Sequence, residues 1–83
     1  TAKLNDAIQK DIQTAQDVFS ALGEYMSGEW GDLSDEDKAS NDAAAAEPGS
    51  DRIIGRYKTA AGDIYIITES DRSRTTLMLC SEY

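Results

Sequence analysis

Apolar residues recur every three or four positions along the first third of the chain. They fall at Leu4, Ile8, Ile12, Ala15, Phe19, Leu22 and Met26. This spacing is typical of one amphipathic helix over residues 1–27, which Gly28 and Gly31 would end. The heptad-like regularity makes a coiled-coil partner an alternative. Because the stripe is shorter than four heptads, we expect it to pack into the core of the domain.

A second, shorter helix is predicted within the acidic segment 28–51. Ser34 is a favourable N-cap, and the three carboxylates of Asp35, Glu36 and Asp37 follow it where the helix dipole favours negative charge. The helical pattern continues through alanines to Ala46 and stops at Pro48-Gly49. Since its apolar face consists of alanine, this helix must lie close against the rest of the domain.

The last segment, 52–83, changes from helical spacing to strand spacing. Residues 52–59, 63–70 and 74–80 read as strands separated by two short turns. They predict a three-stranded antiparallel β-meander, so the whole chain 1–83 is expected to form one α+β domain. The middle strand is apolar on both faces. We expect the first helix to cover one face, and the alanine helix, the Trp30 loop or a second copy of the chain to cover the other.

Charge limits the classes of function. The 83 residues include sixteen acids and eight bases, a net charge of −8, and the segment 24–51 alone carries −8. The segments 1–23 and 52–83 carry only −1 and +1. Direct binding of nucleic acid needs clustered Lys and Arg, so this balance excludes it. A charge concentrated in one segment acts on association and the choice of partner.

The residues offer little for catalysis. Histidine is absent and Cys80 is the only cysteine, which we expect to be a buried, inert thiol on the third strand. The acidic run from Asp35 fails as a calcium loop, because Ala39 and Ser40 stand where an oxygen ligand and a glycine are required. We therefore expect no enzyme, no cofactor and no metal site.

Opposite charges meet at the second turn of the meander, where Glu69, Asp71, Arg72 and Arg74 lie close in sequence. We interpret them as a structural network of paired charges, because the arginines are near enough to neutralise the carboxylates. The sequence has no apolar run of membrane-spanning length and no signal-peptide pattern at its start. These features favour a cytoplasmic protein that makes no membrane contact.

The acidic segment carries the functional hypothesis. Carboxylates three or four residues apart on a helix are about 5 to 6 Å apart, a spacing that can imitate the phosphates of a nucleic-acid strand. The partner would be a protein with a groove lined by Arg and Lys, and Trp30 would be an aromatic anchor. The alternative is that the charge only maintains solubility. The candidate partner-binding residues are Glu29, Trp30, Asp32, Asp35, Glu36, Asp37, Asp42 and Glu47.

Residues 28–83 also carry a resemblance. The residues concerned are Gly28, Trp30, Gly31, Asp32, Leu33, Ser34, Glu36 and Asp37; Asn41, Asp42 and Ala44; and Gly62, residues 64–69, Asp71-Arg72-Ser73, Thr75, Thr76, Glu82 and Tyr83. This pattern resembles small acidic proteins of bacterial plasmids, prophages and other mobile elements, a group without an established activity. Chains of this size on such elements include anti-CRISPR and anti-restriction proteins, some of them nucleic-acid mimics.

The resemblance implies a non-enzymatic inhibitor in the bacterial host cytoplasm. Its partner would be a basic nucleic-acid-binding complex of the host, such as a CRISPR effector or a restriction enzyme. The competing hypothesis is a small homodimeric structural or regulatory module with no nucleic-acid-related partner, joined through the first helix or through the sheet.

Overall fold

A computed structural model describes residues 1–47, 49 and 51–83. Pro48 and Ser50 lie outside the described residues. The expected helix stop at Pro48-Gly49 therefore falls partly outside them. The helices are α1 (Ala2–Lys10), α2 (Ile12–Met26) and α3 (Asp35–Ala46), and the strands are β1 (Ile53–Thr59), β2 (Gly62–Thr68) and β3 (Thr75–Leu79). A short 3₁₀ helix, Cys80–Glu82, follows β3. The expected α+β fold with a three-stranded antiparallel sheet is confirmed.

The N-terminal helix is interrupted at Asp11, so the expectation of one continuous helix is wrong. Asp11 has an extended backbone, with φ −139° and ψ 113°. Its carboxylate accepts hydrogen bonds from the Gln13 N–H at 3.1 Å and from the Thr14 hydroxyl at 3.0 Å. Asp11 is therefore the N-cap of a new helix, in which its side chain satisfies a backbone donor that would otherwise be unpaired.

The break changes which residues of α2 face the core. The buried positions are Thr14, Val18 and Ala21, at spacings of four and three residues. Ile12, Phe19 and Met26, which we expected in the core, are 76%, 81% and 85% exposed. The core expectation is correct for Leu4, which is buried, and for Ile8 and Leu22, which pack against the buried cluster.

The main core lies between the two N-terminal helices and one face of the sheet. In β2, Ile64 and Ile66 are fully buried on this face, Tyr57 of β1 pairs with Ile64, and Leu77 of β3 pairs with Ile66. Because side chains alternate along a strand, these residues share the face that the helices cover. The strands occupy the predicted region, with each boundary within two residues of the expected one.

β1 is an edge of the sheet, and its open side is covered by the Trp30 loop and α3. The Arg56 N–H donates to the Trp30 carbonyl at 3.1 Å, and the Asp32 N–H donates to the Arg56 carbonyl at 2.8 Å. The buried amide of Asn41 binds the backbone of Ile54, donating to its carbonyl at 2.7 Å and accepting from its N–H at 3.3 Å. These contacts satisfy backbone groups that an edge strand leaves open.

The second face of the sheet is covered only in part. Ile67 is buried there, whereas Ile54, Tyr65 and Met78 are half-buried. Tyr83, beyond the 3₁₀ helix, lies against Tyr65 with ring centroids 5.2 Å apart. Tyr83 thus covers part of this face. We had expected α3, the Trp30 loop or a second copy to cover it.

Candidate functional site: an acidic protein-binding surface

The first turn of α3 presents three carboxylates to solvent. The Ser34 hydroxyl accepts a hydrogen bond from the Asp37 N–H at 3.1 Å, which confirms Ser34 as the N-cap. Asp35, Glu36 and Asp37 are all exposed. The helix dipole favours negative charge at this end. The local fold therefore holds three neighbouring acids outward without strain.

Two other candidate acids follow along the same helix. Asp42 is seven residues after Asp35, which is about two turns, so both lie on one side of α3 about 10 Å apart along its axis. Glu47 is the C-cap and lies beyond the last turn, about 18 Å along the axis from Asp35. Because Asp35, Glu36 and Asp37 are consecutive, their side chains point in directions about 100° apart around α3, and only Asp35 and Asp42 share one side. The acids are thus concentrated at the start of the helix and spread around it.

Asp42 is exposed and also makes a structural hydrogen bond. Its Oδ1 accepts a hydrogen bond from the indole N–H of Trp30 at 2.9 Å. The bond satisfies the polar atom of an otherwise apolar ring. Asp42 therefore fixes Trp30 beneath α3 while its side chain remains at the surface.

The assignment of Trp30 as an exposed anchor is corrected by the structure. Trp30 is 7% exposed and packs with Ala44 and Ile53 in a second buried cluster. The Tyr25 ring meets it edge to face, with centroids 5.4 Å apart. The alanine face of α3 leaves space that a large ring can fill, and this explains why the only tryptophan lies inside the protein.

Glu29 and Asp32 precede α3 and lie in the loop along β1. Both are exposed, and the Glu29 carbonyl accepts a hydrogen bond from the buried hydroxyl of Tyr57 at 2.7 Å. The Asp32 carboxylate is 4.0 Å from the Lys58 ammonium, and both side chains are well exposed. Such an exposed pair contributes little free energy and leaves Asp32 able to change partner.

The cations of the chain are held mainly by other groups. Arg56 binds the Asp63 carboxylate through two nitrogens, at 3.1 and 2.9 Å. Arg52 donates to the Tyr83 hydroxyl, and its guanidinium lies over the Tyr83 ring. Within the described ranges, no ion pair reaches the four acids Asp35, Glu36, Asp37 and Asp42. We call these four, with Asp32, the acidic surface.

Arg72 behaves differently from our expectation of paired charges at the second turn. Its guanidinium donates to backbone carbonyls, those of Ala44 at 2.6 Å, Asp51 at 2.7 Å, Ser70 at 3.0 Å and Glu69 at 3.1 Å. The Ala44 carbonyl belongs to the last turn of α3, where a cation is favoured by the helix dipole. The network is structural, but it joins a turn to a helix end through the main chain.

The Asp71 carboxylate accepts its hydrogen bonds from a residue of the same turn. It accepts hydrogen bonds from the Ser73 hydroxyl at 2.6 Å and the Ser73 N–H at 3.0 Å, and these bonds lower the pKa of Asp71. A carboxylate with a lowered pKa is a weaker proton acceptor. The arrangement fits an Asx-type turn.

Cys80 begins the 3₁₀ helix instead of ending the third strand. It is partly buried, and burial raises the pKa of its thiol. A raised pKa reduces the thiolate fraction on which nucleophilic attack depends. In the part of the chain that the structure describes, no group of three or more acidic or cysteine side chains is placed to hold a metal ion.

Sequence reasoning missed a groove of about 410 Å³ between α3 and the second face of the sheet. Asp37, Asn41, Arg52, Tyr65 and Tyr83 contribute to its lining. One end of the acidic surface therefore opens onto two tyrosine rings. No pattern in the sequence links Tyr83 to this position, because its placement depends on the 3₁₀ helix that folds it back over β2.

Comparisons of the chain with known protein families, with curated proteins and with solved structures find no match. Among the described helices, none has the length and apolar character needed to cross a membrane.

Proposed function

We propose that this protein is a non-enzymatic inhibitor that presents its acidic surface to a basic groove of a nucleic-acid-binding protein. The observation that supports the proposal is that four acids of α3 are exposed and, within the described residues, are not held by the chain's own arginines. Asp35, Glu36, Asp37 and Asp42 are exposed, while Arg56 binds Asp63 and Arg72 binds carbonyls. The acids are thus available to external cations.

The chemistry of binding follows from the carboxylates. A groove that normally holds phosphates presents arginine and lysine side chains, and arginine binds a carboxylate through two parallel hydrogen bonds. The acids grouped at the first turn of α3, with Asp42 two turns further along, offer several such contacts. The long-range field of the segment would also accelerate encounter with a cationic partner, an effect that salt reduces. Occupying the groove would exclude the nucleic acid.

The class of partner comes from the sequence resemblance to proteins of mobile elements. On that basis the groove belongs to a host defence complex of the bacterial cytoplasm, a CRISPR effector or a restriction enzyme. The exposure of the acids supports contact with a basic protein, and the resemblance supports the choice among such proteins.

Charge neutralisation tests the proposal while Ser34, the N-cap of α3, is kept. The test variant carries Asp35→Asn, Glu36→Gln and Asp37→Asn, and it keeps Asp42 because of its bond to Trp30. The matched control carries Asp6→Asn, Glu24→Gln and Glu69→Gln, three exposed acids outside α3. Both variants lose three negative charges and change the net charge from −8 to −5.

The measurement is capture of partners from a nuclease-treated bacterial lysate, followed by the affinity of the recovered protein for each purified variant. We expect the wild-type chain and the control to bind a basic nucleic-acid-binding protein, and the test variant to bind it about tenfold more weakly or worse. Equal binding by the test variant would refute the proposal, and so would recovery of no basic partner. Circular dichroism establishes that both variants are folded.

A further inference from the structure

The outer side of α2 carries three large apolar side chains that the fold does not cover. Ile12, Phe19 and Met26 are 76%, 81% and 85% exposed. The smaller Val18 and Ala21 of the same helix are buried instead. They are spaced by seven residues, so they form one row along the helix. We call these three residues the outer stripe of α2.

The residues of α2 that lie between the three apolar side chains are uncharged. Gln16 and Gly23 fall between the three apolar residues on the same side of the helix, and Ser20 lies beside Phe19. The two acids of α2, Asp17 and Glu24, project away from this row. On one flank, Ser20 borders a pocket that charged side chains also line, those of Asp17, Glu24, Asp32, Arg56 and Lys58. In a chain with 29% charged residues, an uncharged helix side is the place where two strongly negative molecules can approach most closely.

Gly23 is a second, independent observation. A glycine within a helix costs about 1 kcal/mol relative to alanine, and a Cβ atom at Gly23 would have nothing within 4 Å. The packing of the monomer therefore gives no reason for glycine here. A small residue between Phe19 and Met26, in the last turn of α2, lets a second helix approach the backbone there closely.

We propose that the outer stripe of α2 is the contact surface of a homodimer, in which α2 packs against α2 of a second copy. Phe19 stands midway between Ile12 and Met26, so a two-fold axis brings Phe19 against its counterpart in the partner. Neighbouring apolar residues then pack on either side of this central pair. The outer stripe shares no residue with the acidic surface, and the two approach each other where Ser20 and Asp32 line one pocket.

The area predicts how tight this dimer is. Three side chains at these exposures present on the order of 450 Å², so two copies bury at most about 900 Å² from the stripes alone. Complete burial of Gln16, Ser20 and Gly23 would bring the upper limit to about 1,200 Å², the lower end of the range for a specific interface. We therefore predict a dimer that dissociates on dilution instead of an obligate one.

Sedimentation equilibrium over a range of concentrations tests the proposal. We expect the mass to rise from 9.0 kDa toward twice that value as concentration increases. Phe19→Glu places a charge at the centre of the interface and should raise the dissociation constant by at least about thirtyfold. The matched control is Ala43→Glu, which adds the same charge at an exposed position of α3 and should dimerise like the wild-type chain.

Salt separates this proposal from the proposed function. Two copies that each carry −8 repel each other, so added salt should tighten the dimer, whereas it should weaken binding of the acidic surface to a cationic groove. A wild-type chain that stays at the monomer mass at millimolar concentration overturns the dimer, as does a Phe19→Glu variant that dimerises normally. Binding of a monomeric wild-type chain to phosphatidylcholine vesicles would also overturn it, because the stripe would then face a membrane.

Discussion

Gly31 shows how a single residue determines the position of the acidic segment. It has a φ of +79° and forms a bridge with Arg56, so that the loop before α3 runs along the edge of β1. A Cβ atom at Gly31 would overlap the Arg56 carbonyl oxygen and come within 2.8 Å of the Tyr57 ring. The backbone of β1 cannot move away without disrupting the sheet. Only glycine permits this close approach.

Two glycines with the same backbone angle allow a matched test. Gly28 also has a φ of +79°, but a Cβ atom there meets nothing within 4 Å. We expect Gly28→Ala to cost about 1 to 2 kcal/mol from the left-handed conformation alone. Gly31→Ala adds the steric overlap and should cost at least about 3 kcal/mol. Urea unfolding measures both, and equal losses would show that the overlap is relieved by a small movement.

Tyr57 is a buried acid whose titration opposes folding at high pH. It is 4% exposed, and its hydroxyl donates to the Glu29 carbonyl. Burial raises the pKa of Tyr57, and the negative charges of Glu24 and Glu29 raise it further. The unfolded chain releases this proton near the ordinary tyrosine pKa of about 10. The contribution to stability is thus complete below that pH and is lost as the pH rises.

We predict that the wild-type free energy of unfolding falls more steeply above about pH 10 than that of Tyr57→Phe. The variant loses the hydrogen bond to Glu29 at every pH, about 1 kcal/mol, so the comparison concerns the slope with pH and not the absolute value. Denaturant unfolding between neutral pH and about pH 11 measures it. Parallel curves for the two proteins would contradict a raised pKa at Tyr57.

The helix α3 buries little apolar surface and is held largely by polar contacts. Ala44 packs against Trp30, and Asn41 in the middle of the helix binds the backbone of Ile54. Ser34 caps the first turn, and Arg72 binds the carbonyl of Ala44 near the last turn. The turn between β2 and β3 therefore fixes the helix that carries most of the acidic surface.

Replacing Arg72 tests this link between the turn and the helix. We expect Arg72→Ala to lower the free energy of unfolding by about 2 kcal/mol, because several backbone acceptors lose a charged donor. The control is Arg74→Ala, two residues away and exposed, which should change stability by no more than about 0.5 kcal/mol. Thermal unfolding of the two variants gives the comparison, and similar losses would remove the special role of Arg72.

The elements were predictable from sequence where one local signal determines them. Ser34 with its three following acids predicted the start of α3, and strand alternation predicted the meander and its order. The break at Asp11 was missed because the apolar spacing continues across it. The signal was present, since aspartate is one of the favoured N-cap residues. The break then changed the core positions of α2.

The candidate site was predictable in part. The exposure of the α3 acids follows from a helix whose apolar face is alanine, and this could be derived from the pattern, whereas the burial of Asn41 could not. The burial of Trp30 and the groove beside Tyr83 depend on contacts between residues far apart in sequence. Local patterns contain no information about such contacts, and therefore the anchor assignment for Trp30 was wrong.

In the whole molecule, charged and apolar surfaces are carried by different elements. The acidic surface belongs mainly to α3, whereas three of the large exposed apolar side chains, Ile12, Phe19 and Met26, belong to α2. Under the two proposals, the acidic surface binds a cationic groove and the outer stripe of α2 binds a second copy. The two associations should respond to salt in opposite directions.

The most direct test of the account is competition for a nucleic-acid-binding groove. The partner recovered by capture is mixed with a labelled DNA duplex, and this protein is added while DNA binding is followed by fluorescence anisotropy. We predict that the wild-type chain displaces the DNA, with a potency that falls as salt increases, and that the Asp35→Asn, Glu36→Gln, Asp37→Asn variant fails to displace it. A partner that binds the duplex with unchanged affinity while saturated with this protein would contradict the account.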